Sequence, residues 1–154
     1  MAFLSTINII GSGITAQHLR LDVISENVTN INTTRTEGGG AYRRKVTVFQ
    51  AEDGRDRFRN VLARTRDGLV SNARAASTGG VKVVEIGEDP SDFKLKYDPS
   101  DPDANEEGYV ELPNVDLVKE ITDAMACTQA FNANVTAFNL LKQVVSSGLQ
   151  IGQG

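Results

Sequence analysis

The last part of the chain carries the pattern that most limits its fold. Between residues 114 and 151, Leu117, Ile121, Ala124, Thr128, Phe131, Val135, Phe138, Lys142, Val145 and Leu149 recur at spacings of four and three. Only Thr128 and Lys142 interrupt the apolar series, and Leu141 stands beside the lysine. Apolar residues at a mean spacing of about 3.5 form a stripe along one side of a helix, and such a stripe needs a second helix to cover it. The other end of the chain supplies one. Phe3, Ile7, Ile10, Ile14, Gln17, Leu21, Ile24, Val28 and Ile31 also step by four and three, with Gln17 as the polar member. The expected fold class is therefore α+β. Long N- and C-terminal helices form a coiled-coil-like pair, and a small β-rich middle domain is inserted between them. The expected boundaries are 1–33 for the first helix, 34–113 for the middle domain and 114–154 for the last helix.

Local signals refine this plan. Ser5 or Thr6 is a candidate cap for the first helix. Gly11 and Gly13 each weaken it by roughly 1 kcal/mol relative to Ala, so it depends on packing. It should stop within residues 30–34, where Asn30, Asn32, Thr33 and Thr34 compete for backbone hydrogen bonds. Gly38, Gly39 and Gly40 then make a tight or flexible linker. Strands are expected at 42–49, 81–86, 93–97 and 109–112. The third alternates between an apolar face (Phe93, Leu95, Tyr97) and a cationic one (Lys94, Lys96). Residues 51–78 read as a charged insertion with a short helix around 58–63. A proline-stiffened acidic turn fills 98–108, and Asn114 is placed to cap the last helix with Asp116 in its first turn. At 1.5 Å per residue the helices would be about 44 and 55 Å long. Both would project beyond a small β-domain, and projecting apolar helices are normally buried in an assembly.

Charge is unevenly placed. The net value of −4 is too mild to select a partner. Residues 41–66, however, sum to +5 and residues 85–123 to −10. Such a chain either meets copies of itself head to tail or carries two solvated faces. The single cysteine, Cys127, excludes an intrachain disulfide and reads as a small buried side chain. No apolar run is long enough to span a membrane. The opening residues lack the basic segment of a cleaved signal peptide, so export would have to leave the N-terminus uncut.

The chemical motifs are weak. Gly11, Gly13 and Ala16 match the spacing of a dinucleotide-binding turn, but the apolar stripe runs through them, and Asp22 and Glu26 come too early for the ribose. Asp101, Asp103 and Asn105 mimic the start of a calcium loop, yet Glu106 stands where glycine is required and Leu112 where glutamate is. His18 is the only histidine and has no ligand or triad partner in sight. The basic stretch near Tyr42, Phe49 and Phe58 is interrupted by Glu52, Asp53 and Asp56, against nucleic-acid binding. No enzyme, cofactor or metal site is expected.

Four stretches carry a family resemblance. Residues 21–33 (LDVISENVTNINT) resemble the N-terminal signature of bacterial flagellar axial proteins, the rod, hook and hook-associated components. Residues 34–45 (TRTEGGGAYRRK) and 98–116 (DPSDPDANEEGYVELPNVD) resemble the proximal-rod branch of that family, as do residues 130–139 (AFNANVTAFN). The matching positions include Asn27, Asn30, Asn32, Thr33, Tyr42, Arg43, Arg44, Asp98, Pro99, Pro102, Gly108, Tyr109, Pro113, Asn114 and Asn134. The resemblance implies a structural part. Its terminal helices would pair in an inner layer lining an export channel, with the middle domain outside. Subunits would stack helically into the periplasmic drive shaft of the basal body. Partners would be copies of itself, other rod and basal-body proteins, and the flagellar type III export apparatus. The alternative from the residues alone is a soluble helical-hairpin binding module, such as a secreted adaptor or effector, with both stripes buried inside one chain.

Overall fold

The computed structural model describes residues 2–52 and 79–151. In chain order they form α1 (Ala2–Thr29), β1 (Lys45–Ala51), β2 (Val81–Glu88), β3 (Lys94–Tyr97), β4 (Tyr109–Leu112) and α2 (Leu117–Ile151). Two long helices thus flank a few short strands, an α+β arrangement. The short helix expected around 58–63 lies outside the described residues.

The helix ends show how local chemistry sets the boundaries. α1 begins at Ala2, so Ser5 and Thr6 fall inside it and neither is its cap. It runs through Gly11 and Gly13, which removes the dinucleotide-turn reading. It ends where Asn30 turns back on Glu26: its backbone N–H and its side-chain Nδ2 both donate to the Glu26 carbonyl. Thr33 then bonds the Asn30 carbonyl and Oδ1, which diverts the chain. At the start of α2 the expected cap is corrected. Asp116 Oδ1 accepts from the backbone N–H groups of Val118 and Lys119, so Asp116 caps the helix. Asn114 is engaged elsewhere, as described below.

The strands form two separate two-stranded sheets. Hydrogen bonds from Asp89 N to Arg44 O and from Glu52 N to Gly80 O bracket the β1–β2 ribbon and make it antiparallel. β1 starts at Lys45 rather than Tyr42, because Tyr42 and Arg44 turn inward before the ladder begins. β3 and β4 pair antiparallel with Leu95 opposite Glu111 and Tyr97 opposite Tyr109. The Tyr97 and Tyr109 rings meet edge to face at 5.2 Å. The acidic turn between them is closed by Asp98 N donating to Gly108 O. Gly108 has φ +83°, and a Cβ there would lie 3.0 Å from the Tyr97 ring. Its carboxylates serve the turn: Asp101 caps the Asp103 N–H, and Asp103 accepts from Thr34 and pairs with Arg35.

The chain divides into two compact units. One gathers 1–16, 49–83 and 131–154, and the other 17–48 and 84–130. In the first, Gly13 lets α1 approach α2, since a Cβ would sit 3.1 Å from the Asn134 amide. The second holds most of the core: Val23, Ile24, Ala41, Tyr42, Val110, Val115 and Cys127, with Asn27, Arg44 and Glu120 buried among them.

Candidate assembly interface

The second unit is organised around a buried polar cluster. Asn27, near the end of α1, uses both ends of its amide. Its Nδ2 donates to Lys45 O at 2.9 Å and to Glu120 Oε2 at 3.2 Å. Its Oδ1 accepts from Lys45 N at 2.9 Å and from the Tyr42 hydroxyl at 3.0 Å. Glu120 is 0% exposed and takes Arg44 Nε on its other oxygen at 2.5 Å. Arg44 also reaches Asp89 at 3.4 Å and Asp123 at 3.3 Å, and Asp123 pairs with Arg20 of α1 at 3.6 Å. A buried cation is tolerated only when paired and hydrogen-bonded, and here three carboxylates surround it.

The segment that precedes α2 is fastened to the same group. Asn114 Oδ1 accepts from Arg44 N at 2.7 Å, and its Nδ2 donates to the Asp89 and Ser91 carbonyls. Arg43 Nη1 donates to those two carbonyls as well, and its guanidinium lies 4.3 Å from the centre of the Phe93 ring. Lys45 pairs with Glu26. Part of the basic stretch is therefore neutralised by the acidic stretch inside one chain.

The electrostatics agree with this geometry. Burial pushes the Tyr42 hydroxyl up to about 12, aided by Glu26, Glu120 and Glu88. Burial works against the Arg44 charge, but the Glu120 carboxylate and then Asp89 outweigh it and raise its hold on the proton. The Ser91 backbone N–H and hydroxyl, with Arg44 further on, keep the Asp89 carboxyl below its usual range. Among the described residues, every buried side-chain polar atom has a hydrogen-bond partner. A cleft lined by Gly39, Gly40, Tyr42, Arg43, Lys45, Glu88 and Phe93 opens beside the cluster. Among the described residues, no group of three His, Cys, Asp or Glu could hold a metal, and no helix is long and apolar enough to cross a membrane.

The seam between α1 and α2 lies one position over from the apolar columns read in the sequence. In the second unit its most buried members are Val23, Ile24 and Asn27 on α1, and Glu120 and Cys127 on α2. Cys127 is 0% exposed, with its Sγ 3.1 Å from the Gln17 carbonyl and 3.0 Å from Gln17 Oε1. The seam thus combines the apolar Val23 and Ile24 with the polar Asn27 and Glu120 and the small Cys127. Of the α1 column, Ile24 is buried, and Ile7, Ile10, Ile14, Leu21, Val28 and Ile31 are half-buried. Of the α2 column, Ala124, Phe131, Val135 and Val145 are half-buried, while Leu117, Ile121, Phe138 and Leu149 are exposed.

Of the family-pattern positions, Asn27, Tyr42, Arg43, Arg44 and Asn114 meet in the cluster, and Pro113 is buried beside it. Asn30 and Thr33 terminate α1, Asn134 packs against Gly13, and Asp98, Gly108 and Tyr109 build the acidic turn. Asn32, Pro99 and Pro102 are exposed. Glu120, Asp123 and Asp89 are the cluster members that periodicity did not mark. The signal for Glu120 and Asp123 was a three-to-four spacing shared with Cys127, offset by one from the apolar stripe, whereas Asp89, beyond the end of β2, carried none.

α2 also leaves large apolar side chains in the open near each of its ends. Val118 is 74% exposed, Met125 69% and Val144 68%, with Leu117, Ile121 and Leu140 exposed near them. One face of the β1–β2 ribbon likewise exposes Val46, Val48, Val84 and Ile86. Leu4 and Ile9 are exposed on α1.

Comparison with known proteins gives these surfaces a context. A family model described as flagella basal body rod protein matches residues 7–35. A second, flagellar basal body rod FlgEFG protein C-terminal, matches residues 106–151. The flagellar basal-body rod protein FlgC of Bacillus subtilis (strain 168) is 41% identical, over 99% of this chain and 100% of that protein. The FlgC of Borreliella burgdorferi is 40% identical over 100% of both, and that of Escherichia coli O6:H1 is 36% identical over 99% of this chain and 100% of its own length.

Proposed function

We propose, for a chain that belongs to the FlgC family of flagellar basal-body rod proteins, that its open apolar faces are the contacts by which it is stacked. It is a structural component of the flagellar basal-body rod and serves flagellum-dependent motility. In the finer reading, α1 and α2 contribute a coiled-coil-like pair to an inner helical layer around an export channel, and residues 34–113 pack outside it. The columns Phe3–Ile31 and Leu117–Leu149 then face copies of itself and other rod and basal-body proteins. The rod they build is the periplasmic drive shaft, and the chain reaches it through the flagellar type III export apparatus.

One observation carries this reading: a single chain leaves Val118, Met125, Leu140 and Val144 in water along one helix. Clusters of exposed large apolar side chains mark interaction surfaces. The helical-hairpin alternative would have both stripes buried within one copy, and the exposure on α2 speaks against it. Many shallow apolar contacts also suit a shaft, because load is shared over many buried side chains.

The test uses residues that a lone chain does not bury. Val118→Asp and Met125→Asp should each change the stability of the free chain by no more than about 0.5 kcal/mol, as exposed substitutions do. In a strain lacking its own copy, each should abolish swimming and rod completion, because an aspartate would be buried against an apolar neighbour. Normal swimming with both changes combined would refute the proposal.

A further inference from the structure

We propose that the buried polar cluster is a register lock, which fixes the axial position of α1 against α2. The apolar columns cannot do this alone. Flanking the seam, each repeats Ile, Leu, Val and Phe every three or four residues, so a slip of one heptad still sets apolar side chains beside apolar side chains. Such a slip moves one helix by about 10.5 Å along the other. The cluster tolerates no slip. Asn27 has its donors on Lys45 O and Glu120 and its acceptor filled by Lys45 N and Tyr42. A one-heptad displacement would set Asn27 and Arg44 against the Cys127 thiol or against Pro113, neither of which replaces a carboxylate. Glu120 would then be buried without Asn27 and Arg44, and each of those would lose its carboxylate partner on α2, a strong penalty against the wrong register.

Three further contacts point the same way. Gln17 meets Cys127, Arg20 meets Asp123, and Asn114 at the head of α2 is bonded to the Arg44 backbone. The polar groups thus supply what a uniform apolar stripe lacks, as a buried asparagine does in coiled coils. The consequence is positional: the lock decides where along α1 the outward side chains of α2 stand.

The single native cysteine provides the assay. Gln17→Cys places a second thiol against Cys127, whereas Ile24→Cys places one a heptad away. In the full-length chain, diluted and mildly oxidised, the 17–127 intrachain disulfide should form at least about tenfold faster than 24–127, since thiols so displaced cannot bridge. Glu120→Leu, added to each, should bring the two rates together while the helical circular-dichroism signal is kept. Equal trapping at 17 and 24 in the unmodified background would overturn the proposal, and so would a 17–127 bond that forms only between chains. Retention of the rate difference in Glu120→Leu would also overturn it. So would loss of the helical signal in that variant, since the apolar columns would then fail to hold the helices together without the cluster, in any register.

Discussion

Replacing Asn27 by Ala removes four hydrogen bonds at once: two made by Nδ2, to Lys45 O and Glu120, and two accepted by Oδ1, from Lys45 N and Tyr42. Asn27 is 1% exposed, so water does not readily replace the lost amide. Each such bond is worth about 1 kcal/mol net, and a partner left unsatisfied costs about 1–3 kcal/mol. Some partners keep other bonds: Glu120 retains Arg44, and Tyr42 can reorient. The expected loss is therefore about 4 kcal/mol in the second unit, a large share of the about 5–15 kcal/mol that holds a domain folded. Urea unfolding followed by far-ultraviolet circular dichroism should show the midpoint falling by about 2 M for a slope near 2 kcal/mol/M. Thr128→Ala, on the exposed side of α2, should move it by no more than about 0.5 kcal/mol equivalent and serves as the control. A loss below about 1 kcal/mol for Asn27→Ala would refute the reasoning, since one net hydrogen bond would then account for it.

Other perturbations have defined outcomes. Arg44→Lys keeps the charge but cannot reach Glu120, Asp89 and Asp123 together, so a loss of about 2–3 kcal/mol by urea unfolding is expected. Gly108→Ala forces a side chain into φ +83° and against Tyr97 and Pro99; about 2 kcal/mol should be lost, and the edge-to-face ring contact should weaken in aromatic NMR shifts. Tyr42 holds its proton up to about 12, above the ordinary 10.0 of the unfolded chain. Its contribution is complete below pH 10 and fades as pH climbs through 12, roughly 2–3 kcal/mol in all. Tyr42→Phe should flatten that part of the alkaline stability profile, and an unchanged profile would show that the hydroxyl is not the group titrating.

The helices were legible because their signal is repeated many times: the columns from Phe3 and from Leu117 predicted two long elements, and both exist. The strands were legible from β-branched runs, with Tyr109–Leu112 found at its observed limits. The seam was harder. Periodicity weighs hydrophobicity, and the tightest contacts between α1 and α2 are made by Asn27, Glu120 and Cys127, which score poorly or are small. A buried glutamate cannot be told from a solvated one by spacing, because only a distant cation decides it. Arg44 is 76 residues away in sequence. The cap of α2 was misplaced for a related reason: Asn114 and Asp116 are both good caps, and the choice was made by the Arg44 backbone, which captures Asn114. Leu95 and Tyr97 were expected on the apolar face of β3, yet that face is open in one chain.

The direct test of stacking is the accessibility of α2 before and after assembly. Single cysteines at Val118, Met125 and Val144, in a Cys127→Ala background, can be labelled with a maleimide on the free chain and on isolated basal bodies. All three side chains are at least two-thirds exposed in one copy, so rapid labelling of the free chain is expected. Within the rod, labelling should fall by more than about tenfold, as burial at a protein interface dictates. Equal labelling of free and assembled protein at all three positions would contradict the claim that these faces are where the chain is joined to its neighbours.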